Sequence, residues 1–236
     1  MIFDIITLFP EMFNGPFSIS LIKKAVDKKL IQINLFNLRD FTSDKHKTVD
    51  DEPYGGGAGM VLKVEPIYRS IEFLKKADNP DRIILLSPQG EKFNNSTAKK
   101  LSKLSRIVLI CGHYEGFDER IRNLVTDEIS IGDFVLTGGE LPAMILVDSI
   151  SRFIPGVIKE QESHRKDSFE KDTLDYPSYT RPASFMGMNV PEVLLSGNHE
   201  KISRWRELKS IEKTLLRRPD LLKKQNFPFA KKEIYN

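Results

Sequence analysis

The 236-residue sequence has few of the residues that build covalently linked or metal-bound scaffolds. It contains one cysteine, Cys111, and four histidines, which excludes an intramolecular disulfide and does not support a zinc site of Cys and His ligands. A single cysteine is typical of reducing compartments, so we expect a cytoplasmic protein. No apolar run approaches the roughly 18 residues that a membrane-spanning helix needs. The sequence therefore predicts no membrane insertion.

Two common nucleotide-binding motifs are also missing. The sequence has no GxxxxGK[ST] motif and no GxGxxG motif after its first predicted strand, so neither a P-loop nor the usual dinucleotide site is expected. The opening stretch MIFDIITLFPEMF carries Asp4 and has no basic start, so we expect a strand there and not a secretory signal. Nucleotide hydrolysis and hydride transfer are not supported.

Charge is nearly balanced over the whole chain but not along it. Lys and Arg number 36 against 33 Asp and Glu. Residues 151–236 carry 17 basic and 12 acidic side chains, and the last 36 residues alone carry 11 and 4. Such an excess at one end is expected where a polyanion binds, although a solvated helical surface has the same pattern.

Short β-branched segments alternate with helical patterns through the first two thirds of the chain. Segments such as IFDIITLF, RIILLSP and RIVLICG predict strands, and VEPIYRSIEFLKKA and ELPAMILVDSISRF predict helices. Strands that alternate with helices of about ten residues indicate an α/β fold with a mostly parallel sheet. We expect residues 1–158 to form this domain.

A polar stretch ends the alternating pattern. Residues 157–172 hold 9 charged residues in 16 and show no apolar period, so we expect an inter-domain linker over residues 159–172. Beyond it, Ile202 and Trp205 follow a helical period. The segment predicts a small, basic, all-helical domain over residues 173–236.

Glycine and proline gather where predicted strands end. The loops SPQG (Ser87–Gly90), CGHYEG (Cys111–Gly116) and IGDFVLTGGELP (Ile131–Pro142) each follow a strand. Ligands of parallel sheets bind at the carboxyl ends of strands, where glycine lets the backbone approach closely. We expect these three loops to converge on one pocket, although each alone could be a tight turn. A fourth loop, PYGGGAGM, follows the acidic DDEPY, which argues against a phosphate site there.

Several long segments occur together and in order: RIILLSPQG, ICGHYEGFDERI, SIGDFVLTGGELPAM, SRFIPGV, DSF and DYPSYTRP, preceded by FDIITLFPEMF and DDEPYGGGAGM. They closely resemble the bacterial tRNA (guanine-N1)-methyltransferase family, TrmD, of the SPOUT class, over nearly the whole chain. The resemblance implies a homodimer with its active site at the subunit interface and a deep trefoil knot in the first domain. It also implies methylation of N1 of guanine 37 in tRNA, next to the anticodon.

The resemblance implies an S-adenosylmethionine site in the loops of the knot. Carried over by matching positions, this site comprises Leu85, Pro88, Gly112, Tyr114, Glu115, Gly116, Ile131, Gly132, Leu136, Gly138, Gly139 and Pro142. Leu85, Ile131 and Leu136 would supply an apolar slot. Glu115 would accept hydrogen bonds from ribose hydroxyls or face the sulfonium. Without the resemblance, a packed aromatic and a helix N-terminal charge are the alternative interpretations of Tyr114 and Glu115.

Methyl transfer to guanine N1 requires removal of the N1 proton and stabilisation of the negative charge that develops on O6. The resemblance assigns these roles to Asp167 in KDSF and Arg152 in SRFIPGV. From residue type alone, Asp167 would be one more charge in a solvated linker, and we expect that linker to order when RNA binds. The resemblance also implies a dependence on Mg²⁺, for which the sequence shows no dedicated ligand set.

Basic side chains of the predicted C-terminal helices are the expected RNA contacts. They are Arg204, Arg206, Lys209, Arg217 and Arg218, which would contact phosphates. Trp205 and Leu208 fall on another helical face and are expected to pack in a core, although Trp205 could instead stack on a base.

The chain departs from the family pattern in three places. Ala58 stands where the family often has Pro, Phe134 where it has Tyr, and Tyr176-Pro177-Ser178 where it has Cys-Pro-His. Loss of a phenol hydroxyl at Phe134 would remove one hydrogen bond to the donor.

Two alternative functions stay open at the level of sequence. One is a non-catalytic RNA-binding protein that uses the same basic helices. The other is a knotted methyltransferase that acts on ribosomal RNA or on a ribose hydroxyl, which would not need Asp167 to deprotonate N1.

Overall fold

The computed structural model describes residues 1–158 and 167–222. The chain divides into two compact units, Met1–Lys159 and Glu160–Asn236. Most of the predicted linker, residues 159–166, lies outside the described residues. Its remaining residues, 167–172, belong to the second unit.

A five-stranded parallel sheet forms the centre of the first unit. Its strands are β1 (Ile2–Thr7), β2 (Gln32–Asn37), β5 (Arg82–Lys92), β6 (Arg106–Cys111) and β7 (Asp127–Ser130). They lie in the order β2-β1-β6-β5-β7. A separate antiparallel pair is formed by β3 (Asp50–Asp51) and β4 (Val61–Leu62). The predicted mostly parallel α/β sheet is confirmed.

Helices cover both faces of the sheet. They are α1 (Asn14–Phe17), α2 (Ser20–Asp27), α3 (Val64–Ala77), α4 (Asn95–Leu101) and α5 (Glu140–Ser151), and short 3-10 helices cover Pro10–Phe13, Leu38–Phe41 and Glu119–Leu124. Side chains alternate between two cores because successive strand residues point to opposite faces. Leu109 packs with α2, α4 and α5, whereas Val108 and Ile110 pack with α3.

The second unit contains the helices α6 (Glu192–Leu195), α7 (His199–Arg217) and α8 (Pro219–Leu222). The side chain of Asn198 caps α7 by accepting a hydrogen bond from the Lys201 amide at 3.0 Å, as N-cap residues do.

The prediction of an all-helical C-terminal domain is wrong in one detail. A two-stranded hairpin is formed by β8 (Ser184–Phe185) and β9 (Met188–Asn189). Met186 and Gly187 between them both have positive φ, at 48° and 78°. Two central residues with positive φ form the tight turn that suits the twist of paired strands. The strands are too short to produce an apolar alternation in the sequence.

None of the helices in the described parts of the chain is long and apolar enough to cross a bilayer.

Candidate functional site

A cavity of about 330 Å³ opens at the carboxyl ends of β5, β6 and β7. The three predicted Gly/Pro loops meet there, because parallel strands place their carboxyl ends at one edge of the sheet. All the residues predicted for the donor site line this cavity except Leu85. Phe134, expected beside the donor from its departure from the family pattern, also lines it. Sequence reasoning did not single out the other lining residues, which are Leu86, Ser87, Gln89, His113, Phe117, Glu119, Arg122, Ile129, Ser130, Val135 and Thr137.

Leu85 is a correction to the predicted site. Its side chain is fully buried in the core beside α3, whereas the side chain of Leu86 points to the other face and lines the cavity. Neighbouring residues of a strand face opposite sides of the sheet, so only one of the two can contribute its side chain to the slot. The apolar residues that line the cavity therefore include Leu86, Ile131 and Leu136 but not Leu85.

The first loop is a bulge near the carboxyl end of β5 and not a loop that follows the strand. β5 continues to Lys92, and its register against β7 shifts between Leu86 and Glu91. A Cβ atom at Gly90 would lie 2.4 Å from the backbone nitrogen of Ile129, so glycine permits this close approach. The extra residues carry Pro88 into the cavity lining.

The second loop, Cys111–Gly116, is tied to the Gly-rich loop between β3 and β4. The Glu115 amide donates to the Met60 carbonyl at 3.0 Å, and the Leu62 amide donates to the Gly116 carbonyl at 3.0 Å. A Cβ atom at Gly59 would lie 2.4 Å from Cγ of Glu115. The Glu115 side chain thus lies against the backbone of the Gly-rich loop, and that loop adjoins the cavity.

The third loop returns from β7 to the end of β6. The Gly139 amide donates to the Gly112 carbonyl at 2.8 Å. A Cβ atom at Gly139 would lie 2.6 Å from both Cα of Cys111 and the nitrogen of Gly112. Because backbone atoms cannot swing aside as a flexible side chain can, this contact requires glycine.

A buried carboxylate lies behind the third loop. Glu140 is 2% exposed, and its Oε1 accepts a hydrogen bond from Oγ1 of Thr7 at 2.7 Å. Burial raises the pKa of the Cys111 thiol well above its usual range, and the charge of Glu140 adds to the effect. A thiol held in its neutral form has little nucleophilic character, so Cys111 is a buried core residue and not a reacting group.

Arg122 is a paired cation at the rim of the cavity. Nε of Arg122 donates to Glu128 at 3.0 Å, and its guanidinium also contacts Gln89 at 2.7 Å and Glu119. The Glu128 carboxylate raises the pKa of Arg122. Arg122 is therefore held as a cation at the rim, within an acidic and polar setting.

Arg152 and Asp167 lie in different units. Arg152 is the C-terminal cap of α5, where its amide donates to the Asp148 carbonyl at 3.3 Å. Asp167 opens a segment that packs against α7 and lines a second cavity of about 750 Å³ within the second unit. Within the first unit, Arg152 does not line the cavity at the carboxyl ends of β5–β7.

Basic residues of the second unit differ in their surroundings. Arg204 and Arg217 are exposed on α7, whereas Lys209 pairs with Glu212 at 2.6 Å. The Arg206 guanidinium lies 4.9 Å from the ring centre of Tyr176. Arg218 pairs with Asp220 at 2.7 Å and lies 5.8 Å from the ring centre of Phe169.

The predicted packing face of the long helix is wrong at Leu208. Trp205 is half-buried, with its ring 6.4 Å from that of Tyr179, but Leu208 is 58% exposed. The residues of α7 that meet the preceding segment, such as Ser210 and Thr214, lie on a different side of the helix. Trp205 therefore belongs to the packed face of α7, whereas Leu208 does not.

Comparison with known proteins decides the family. The sequence profile described as tRNA (Guanine-1)-methyltransferase TrmD matches residues 1–224. The chain belongs to the TrmD family. It is 58% identical to a tRNA (guanine-N(1)-)-methyltransferase of Dictyoglomus turgidum over 94% of this chain and 89% of the relative. Proteins of the same name from Geobacillus kaustophilus and Bacillus subtilis are 55% and 57% identical, over 98% and 93% of this chain and 94% and 91% of theirs.

Two of the three departures from the expected pattern, Phe134 and Ala58, lie in the first unit, and the third, at Tyr176, lies in the second. Phe134 lines the cavity and is 54% exposed. Tyr176 carries the stacked Arg206, and Ala58 lies between glycines of positive φ in the Gly-rich loop. Among residues 1–158 and 167–222, no group of three or more His, Cys, Asp or Glu side chains is arranged to hold a metal ion.

Proposed function

We propose that this chain uses S-adenosylmethionine to methylate N1 of guanine 37 in tRNA. The observation that carries the proposal is the cavity formed by three glycine-containing loops at the carboxyl ends of β5–β7, in a chain of the TrmD family. Such a site is where parallel α/β sheets bind small ligands.

The cavity suits the methyl donor in size and chemistry. Its volume of about 330 Å³ is within the range of small-molecule sites. Leu86, Ile131 and Leu136 offer apolar contacts, the glycine backbone offers hydrogen bonds, and the exposed Glu115 offers a carboxylate to ribose hydroxyls or to a sulfonium. When bound, S-adenosylmethionine supplies an electrophilic methyl carbon.

Asp167 and Arg152 supply the rest of the chemistry in this proposal. Asp167 accepts the N1 proton of guanine as general base, and Arg152 stabilises the negative charge that develops on O6. The target base leaves its stack to reach them, as enzymes that act on base edges require. A dependence on Mg²⁺ and a cytoplasmic location stay predictions.

A knotted first domain and a homodimer complete the proposal. The return of the chain after β7 to the backbone of Cys111 and Gly112, past the end of β5, supports a deep trefoil knot in residues 1–158. Exposed apolar side chains at Met12, Leu141 and Ile145 support a subunit interface beside the cavity. The active site then combines the donor cavity of one subunit with Asp167 of the other.

Residues 173–236 bind the tRNA in this proposal, joined to the first domain through the linker 159–172. The RNA contacts are Arg204, Arg206, Lys209, Arg217 and Arg218. Arg204 and Arg217 present their guanidinium groups to solvent, which supports phosphate contacts by these two before the other three.

The test is transfer of a labelled methyl group from S-adenosylmethionine to an unmodified tRNA transcript with guanine at position 37, beside the same transcript with adenine there. We expect label at N1 of the guanine transcript only. Label on a ribose oxygen, or on ribosomal RNA alone, would assign a different knotted methyltransferase. Tight tRNA binding without any donor binding would assign a non-catalytic RNA-binding protein.

A further inference from the structure

The segment that carries Asp167 is fixed to the long helix α7 by side-chain hydroxyl groups. We infer that Thr214, together with Ser210, is a positioning residue for the general base Asp167. This inference rests on the proposed function, since it concerns the proton that Asp167 would accept. It assigns a role to two residues of α7 that hydrogen-bond the backbone of Leu174.

Thr214 and Ser210 hold both backbone polar groups of Leu174. Oγ1 of Thr214 accepts a hydrogen bond from the Leu174 amide at 2.9 Å, and Oγ of Ser210 donates to the Leu174 carbonyl at 2.5 Å. The Thr214 hydroxyl also donates to the Ser210 carbonyl at 2.6 Å. Thr214 is fully buried, so loss of its hydroxyl would leave the part-buried Leu174 amide without this acceptor.

Hydrogen bonds within residues 167–175 connect Leu174 to Asp167. The Phe169 amide donates to the Thr173 carbonyl at 2.8 Å, and the Glu170 amide donates to the Asp167 carbonyl at 3.4 Å. The Asp175 amide donates to Oγ of Ser168 at 3.0 Å. A displacement of Leu174 would therefore be transmitted to the backbone of Asp167 through these hydrogen bonds.

Two cations of the same helical region strengthen the attachment. Nζ of Lys213 donates to the Asp175 carbonyl at 3.0 Å, and Arg218 lies over the ring of Phe169. The helix that presents Arg204 and Arg217 to solvent thus also carries the segment with the proposed base. Binding of tRNA to the exposed face of α7 would bring Asp167 along with it.

The test is a double-mutant cycle of Thr214→Val and Asp167→Asn, with methyl transfer measured in single turnover. Valine has nearly the shape of threonine but lacks the hydroxyl. We expect Thr214→Val to lower the rate constant by roughly 10- to 100-fold, since about 1 Å of misplacement can cost 10²-fold. The Kd values for donor and tRNA should stay within about twofold, and Thr214→Ser should restore the rate.

The cycle separates positioning from general loss of structure. In the Asp167→Asn background, Thr214→Val should have no further effect, whereas a merely structural role would lower the rate by the same factor in both backgrounds. Ser196→Ala is the matched control, because its hydroxyl bonds only within residues 193–198, and it should leave the rate unchanged. Ser210→Ala gives a milder second variant if Thr214→Val folds poorly.

Amide hydrogen exchange of residues 168–175 keeps the inference separate from the proposed function. Faster exchange of the Leu174 amide in Thr214→Val would support the attachment of this segment to α7, whether or not the wild type methylates the guanine transcript. A wild type that leaves the guanine transcript unmethylated would contradict only the proposed function. Unchanged exchange, or equal rate losses in the two backgrounds of the cycle, would overturn the inference.

Discussion

The two regions assigned to the chemistry are held in place by different means. The donor cavity depends on backbone contacts that a side chain would obstruct, as at Gly139 against Cys111. The segment that begins at Asp167 depends on side chains of α7 that reach its backbone, as Thr214 reaches Leu174. An added Cβ atom at such a glycine would disrupt the donor cavity, whereas loss of a hydroxyl group from α7 would disrupt the segment that begins at Asp167. Substitutions in the two regions should therefore affect donor affinity and turnover separately.

The largest effect should come from Asp167→Asn. Because the amide cannot accept the N1 proton, turnover should fall on the order of 10²- to 10⁴-fold, while donor affinity, which depends on the other region, should not change. Single-turnover methyl transfer and calorimetric donor titration measure the two quantities. Asp172→Asn is the matched control, since Asp172 lies in the same segment with φ of 53°, a conformation that Asn tolerates. Equal losses in both variants would remove Asp167 from the role of base.

Gly139→Ala should have the next largest effect, which we expect on the donor cavity and on donor affinity. The added Cβ must displace the backbone of Cys111 and Gly112, and such overpacking costs about 1–3 kcal/mol. We expect donor affinity to fall at least about fivefold. Gly15→Ala is the control, because nothing lies within 4 Å of a Cβ there. Unchanged donor binding in Gly139→Ala would show that the third loop does not shape the site.

Salt dependence of tRNA binding should sort the basic residues of the second unit. Removing one phosphate contact lowers the slope of log K against log salt by about 1. We expect this change for Arg204→Gln and Arg217→Gln, which are exposed, and a smaller one for Lys209→Gln, whose ammonium is already paired with Glu212. Filter binding at several salt concentrations measures the slopes. An equal decrease of the slope in all three variants would show that the Lys209–Glu212 pair opens when RNA binds.

Local sequence patterns predicted the elements of the sheet and the meeting of the three loops, because strand periodicity and turn residues are local signals. They could not predict which of Leu85 and Leu86 lines the cavity, since that depends on strand register. The stacking of Arg218 on Phe169 is likewise invisible, because it joins residues 49 positions apart in the chain. For the same reason Thr214 is one more helical residue in the sequence, although its hydroxyl meets a segment 40 residues away.

The smallest predicted effect tests how finely the cavity is built. Phe134 lines it where the resemblance expects tyrosine, so Phe134→Tyr should add one hydrogen bond to the donor, worth roughly 1 kcal/mol, or about fivefold in affinity. Phe73→Tyr is a matched control, because Phe73 is 55% exposed on α3 against 54% for Phe134 and does not line the cavity. Donor titration of both variants measures the change. A gain confined to Phe134→Tyr would place the donor within reach of that ring, whereas equal affinities would mean that the ring serves only to cover Gly132, whose added Cβ would meet it at 2.7 Å.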